Sequence, residues 1–131
     1  MSEEEEKVGQ SRIISMPLLR TVYQLTGWAL LLFVVVLSLW PNLSVPDVGV
    51  SWSDKLGHFG AWLVLMLWFA QLQPRPGHLW LALRLVALGI FIEILQWLSG
   101  YRYFELGDIA ANTAGVAAGW LISGTKLGRL L

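Results

Sequence analysis

From Thr21 to Trp40 the chain runs for 20 residues without one charged side chain. As a helix rising 1.5 Å per residue, such a stretch is about 30 Å long, the thickness of a bilayer's hydrocarbon core. Lipid offers no partner to backbone N–H and C=O groups, so a segment crossing it must bond within itself, as a helix does. Three more apolar stretches follow. Residues 56–73 hold His58 as their sole ionisable group, 79–98 hold Arg84 and Glu93, and 107–123 hold Asp108. Pro74-Arg75-Pro76-Gly77 separates the second from the third, because each proline disfavours helix in the residue before it. Ser99-Gly100 ends the third.

Composition agrees. Charged residues are 14% of the 131, against roughly a quarter in soluble domains, and hydrophobic residues reach 56%. A short chain this apolar has too little polar surface to cover itself in water. A soluble globular domain and a disordered chain are both disfavoured. Formal net charge is zero, which leaves no nucleic-acid footprint. Cysteine is absent, which rules out disulfides, thiolate nucleophiles and cysteine metal sites. The expected partner is the lipid bilayer.

The expected fold is all-α, a polytopic transmembrane bundle of four helices. A polar tail, residues 1–20, carries the acidic run Glu3 to Glu6. The first helix, 21–40, ends at Trp40-Pro41 with no small-residue cleavage site, so it reads as an uncleaved anchor. A core over 52–123 follows, then a short tail, 124–131. Lys7, Arg12, Arg20, Arg75, Lys126 and Arg129 fall on one side of four crossings, with Arg84 close by, and only Lys55 and Arg102 on the other. That bias predicts both termini in the cytoplasm of a bacterial inner membrane. Trp40, Trp52 and Trp97 mark the outer interface, Trp80 and Trp120 the inner one.

Ionisable groups at a bilayer centre cost about 2.5–3.5 kcal/mol each on insertion scales. Here they gather at one level. Asp54, Lys55 and His58 open the second helix; Glu93 and Gln96 lie near the end of the third. Arg102 and Glu105 occupy the outer loop, and Asp108 and Asn112 begin the fourth helix. Asp54 and His58, Glu93 and Gln96, and Asp108 and Asn112 are three or four apart, so each pair shares a helix face. Gly115 and Gly119 continue the last face with a spacing that lets helices approach closely. The inner half is expected to be almost uniformly apolar apart from Arg84, which argues against transport.

Two readings of this cluster stand. In the first it is a site for a lipid-linked or cell-envelope substrate. His58, Glu93 and Asp108 would be its catalytic groups, and Asp54, Lys55, Gln96, Arg102, Glu105 and Asn112 its binding groups. Lys55 and Arg102 would hold a phosphate or carboxylate. The four acids outnumber the two bases, an excess that a divalent cation on oxygen ligands and His58 could neutralise. In the second reading the same residues form a closed network that only holds the bundle, or a surface for lipid or a partner.

The ordered motifs Asp54-Lys55-x-x-His58, Glu93-x-x-Gln96, and Arg102 followed by Glu105, Asp108-x-x-x-Asn112 and Gly115 resemble the VanZ-like family of small bacterial membrane proteins. The resemblance covers about residues 52–122. It implies a place in the cell envelope and a relation to susceptibility to the glycopeptide teicoplanin, without supplying a reaction.

Overall fold

A computed structural model describes residues 16–39, 52–100 and 106–125. Among them are four α-helices and no strand: α1 (Pro17–Leu39), α2 (Trp52–Ala70), α3 (His78–Leu98) and α4 (Leu106–Ser123). A 3-10 turn, Arg75–Gly77, joins α2 to α3.

Helix α1 starts at Pro17, before the apolar stretch does. Proline suits the first helical position, where its missing N–H has no partner to lose, and a charge such as Arg20 does not interrupt a helix. At the other boundary, α2 stops at Ala70 although the apolar run continues to Gln73. The next three N–H groups bond to carbonyls three residues back rather than four, Gln71 to Trp68, Leu72 to Phe69 and Gln73 to Ala70. The chain tightens there because Pro74 excludes the helical conformation from Gln73.

Contacts fix the relative directions. Lys55, His58, Phe59 and Met66 of α2 meet Asp108, Asn112, Gly115 and Gly119 of α4 in ascending order, so the two helices run parallel. Helix α3 runs against both: Gly89 lies beside Asn112 and Trp62, and His78 beside Ala70 and Ser123. Helix α1 meets Trp68 at Tyr23 and Gln96 at Ser38, which makes it antiparallel to α2 and parallel to α3. The bundle has an Asp108 end and a His78 end.

The α2–α4 seam is the tightest packing. A Cβ added to Gly115 would overlap the Phe59 carbonyl oxygen, and one on Gly119 would come within 2.8 Å of Met66 Cβ. Only glycine permits that approach. The buried residues of α4 are Asp108, Asn112, Gly115, Val116, Gly119 and Ser123, a single helical stripe. Helix α3 buries Gly89, Ile92, Glu93 and Gln96 on one such stripe. Helix α1 is peripheral and buries only Gly27, against Trp68 and Phe69. Tyr23 stacks on Trp68 with ring centroids 4.0 Å apart.

The outside of the bundle is oily. Leu18, Trp28, Leu32, Phe33, Phe91 and Leu121 are exposed, while Glu93, Gln96, Asp108 and Asn112 are buried. A water-soluble protein is arranged the other way round. Two helical stretches, Pro17–Leu39 and Arg75–Leu98, are long and apolar enough to cross a membrane by length and composition. The apolar part of α2, Lys55–Ala70, is shorter.

Candidate functional site

Asp108 sits in the first turn of α4, where a carboxylate is favoured by the helix dipole. Its residue exposure is only 1%. A carboxylate so deep needs a counter-charge, and Lys55 supplies one from α2: its ammonium bonds Asp108 Oδ1 directly. The lysine stem passes over Gly107, where a Cβ would stand 3.2 Å from Lys55 Cε.

His58 lies one turn further along α2, and Asn112 one turn further along α4. His58 Nδ1 and Asn112 Oδ1 are 2.9 Å apart. An amide oxygen only accepts, so this bond places a hydrogen on Nδ1. The other ring nitrogen, Nε2, lies 3.8 Å from Asp108 Oδ1. The carboxylate is therefore shared between a lysine and a histidine on consecutive turns of α2, and Asn112 orients the ring.

The third helix faces the same place. A Cβ on Gly89 would meet Asn112 Nδ2 at 3.5 Å. Glu93, one turn further toward the Asp108 end on the same stripe, is 2% exposed and faces inward. Gln96 is equally buried, and its amide nitrogen donates to the Ser38 carbonyl of α1. Ser38 stands in the last turn of α1, where carbonyls lack helical partners, so Gln96 caps that helix. Its amide nitrogen serves the α1–α3 contact rather than the lysine–histidine cluster. Asp54 lies on α2, but its side chain is outside the described residues, as are Arg102 and Glu105 entirely.

Among the described residues no three His, Asp or Glu side chains converge to hold a metal ion. The Lys55 ammonium itself occupies the position against Asp108 that a cation would take. No buried side-chain nitrogen or oxygen among the described residues lacks a hydrogen-bond partner.

The family model described as VanZ/LLP1 matches residues 4–126, nearly the whole chain and all four helices. The chain belongs to the VanZ/LLP1 family. No curated protein and no solved structure matches it.

In this VanZ-like chain the expectation of an apolar half opposite the cluster needs correcting. Gln71, His78 and Ser123 are buried at the His78 end. His78 Nε2 lies 2.9 Å from the Ala70 carbonyl and 3.0 Å from that of Gln73, so it carries a hydrogen and donates to both. Nδ1 lies 3.2 Å from Ser123 Oγ, whose hydroxyl also reaches the Trp120 carbonyl at 2.8 Å. One imidazole thus ties the end of α2, the start of α3 and the end of α4. Its partners are main-chain carbonyls and a lone serine, which carry no motif; only its place beside the Pro74 break could have drawn notice.

Proposed function

We propose that this VanZ-like protein spans a bacterial inner membrane four times with both termini in the cytoplasm, and that its Asp108 end is a site in the outer leaflet for a polar headgroup. The substrate is a lipid-linked or other cell-envelope molecule. His58 is the proton-transfer group: Asn112 fixes its tautomer, which sets Nε2 on the side of the ligand and of Asp108. Glu93 supplies a second buried carboxyl group, from the inward stripe of α3.

The observation that carries this reading is the meeting of Lys55, His58, Asp108 and Asn112 from two helices inside an otherwise oily shell. A bundle that needed only stability could have packed apolar residues there at no loss. The relation to teicoplanin susceptibility belongs to the same proposal.

The test compares a deletion strain complemented with wild type, His58→Ala, Glu93→Ala or Asp108→Ala, at matched levels of folded protein. Teicoplanin susceptibility and the envelope lipid profile are the readouts. The expected result is loss of complementation by His58→Ala with the protein still folded. Intact complementation by all three variants would overturn the proposal.

One observation favours the second reading, a network that only holds the bundle: the described buried polar atoms are all satisfied within the protein. That reading predicts that function and folded protein fall together in every variant.

A further inference from the structure

Arg84 stands apart from the polar groups gathered inside the bundle. It is exposed on the outward face of α3, and its guanidinium makes no ion pair or hydrogen bond with a described residue. Glu93, the one acid of α3, lies nine residues on, half a turn round, on the buried stripe. The neighbours of Arg84 along the outward face are Trp80, Ala87, Phe91, Ile94 and Leu98, all exposed. They follow one another at intervals of three or four, so they form one stripe along the helix with Arg84 as its only charge.

Arg84 is six residues past His78, about 9 Å along α3. A guanidinium kept at that depth among acyl chains is costly, whereas one that reaches a headgroup is not. Helical side chains lean toward the N-terminus of their helix, so the Arg84 stem runs back over the preceding turn. Trp80 belongs to that turn, about 3 Å from the start of α3, and its indole N–H is a second donor. One face thus brings a charged fork and a neutral donor to one level at the His78 end.

We propose that this face of α3 binds an anionic phospholipid of the inner leaflet. The Arg84 fork takes two phosphate oxygens, the Trp80 N–H takes a neighbouring headgroup oxygen, and an acyl chain lies along Ala87, Phe91 and Leu98. Ala87, the smallest side chain of the stripe, leaves a notch between Arg84 and Phe91 for that chain. The site is distinct from the Asp108 end and rests only on the reading that the bundle spans the membrane. The acidic run Glu3 to Glu6 is a rival anion. A lipid fits better: one phosphate answers one guanidinium, and its chain covers the apolar residues beyond. Four carboxylates drawn against this face would meet one arginine and lose water without further partners.

The full chain is reconstituted in nanodiscs of phosphatidylcholine and phosphatidylglycerol, and the lipids it retains are counted by native mass spectrometry. Wild type is expected to keep phosphatidylglycerol in preference to phosphatidylcholine, and Arg84→Gln to lose about fivefold of that preference. Arg84→Lys keeps the charge without the fork and should lose about twofold, as should Trp80→Phe, which keeps a ring without the N–H. Thermal unfolding in pure phosphatidylcholine should be the same for Arg84→Gln and wild type, which separates lost lipid from lost fold. Arg75→Gln removes an equal charge from the exposed turn before α3 and should lose less than Arg84→Gln.

Equal losses from those two variants would show diffuse attraction and overturn the site. So would wild type that retains both lipids alike, or Arg84→Gln that unfolds earlier in pure phosphatidylcholine, since Arg84 would then have a partner inside the protein. A preference that appears only once Glu3→Gln, Glu4→Gln, Glu5→Gln and Glu6→Gln are combined would give Arg84 to the tail and overturn it too. None of these results touches the Asp108 end, which stands or falls by complementation with His58→Ala.

Discussion

The two ends of the bundle each set a histidine between helices, buried at one end and part-buried at the other, and they use it differently. At the His78 end the ring touches two main-chain carbonyls and one hydroxyl, all uncharged. At the Asp108 end the ring touches an amide and faces a carboxylate that is paired to a lysine, and it keeps 14% of its surface open. Neutral, backbone-directed partners stitch chain segments together and ask nothing of a ligand. A charged, shared and partly open arrangement can change partners. The residue type is the same; the charge and accessibility of its neighbours separate a staple from a site.

The largest effect should come from the seam that both ends depend on. Gly115→Ala forces a methyl group into the Phe59 carbonyl oxygen and pushes α2 off α4. It should cost about 3 kcal/mol or more, abolishing both histidine clusters together. Thermal unfolding in detergent checks this, and a variant as stable as wild type would contradict the close seam.

Next, His78→Ala leaves the Ser123 hydroxyl and the carbonyls of Ala70 and Gln73 short of a partner, a loss of about 2 kcal/mol. Protease sensitivity of the α2–α3 turn should rise, while ligand binding at the far end persists in whatever protein is folded. If that binding vanished while the fold held, the two ends would not be separate in kind.

Gln96→Ala is smaller, about 1 kcal/mol, and confined to α1. Uncapping Ser38 should increase hydrogen–deuterium exchange in the last turn of α1 and leave α2 and α4 unchanged. An effect spreading to α4 would show Gln96 to be part of the site after all.

Four helices were legible because long apolar runs with few charges, separated by proline and glycine breaks, leave the chain few alternatives. Their ends were less so: Arg20 marks where apolar residues begin, not where α1 does, and the tightening before Pro74 shortens α2. The inward face of α4 could be read from the spacing of Asp108, Asn112, Gly115 and Gly119. That Lys55 pairs with Asp108, and that Gln96 reaches a carbonyl on α1, could not. Both depend on how helices distant in sequence are rotated, which periodicity within one helix does not encode. His78 escaped notice because backbone carbonyls leave no trace in a sequence.

The most direct test sets the two histidines side by side as His58→Gln and His78→Gln, with folded protein and complementation of a deletion strain measured for each. The account predicts that His58→Gln remains folded and fails to complement, while His78→Gln loses folded protein and complementation in proportion. If function tracked the amount of folded protein equally in both, the Asp108 end would be a second staple and no site at all.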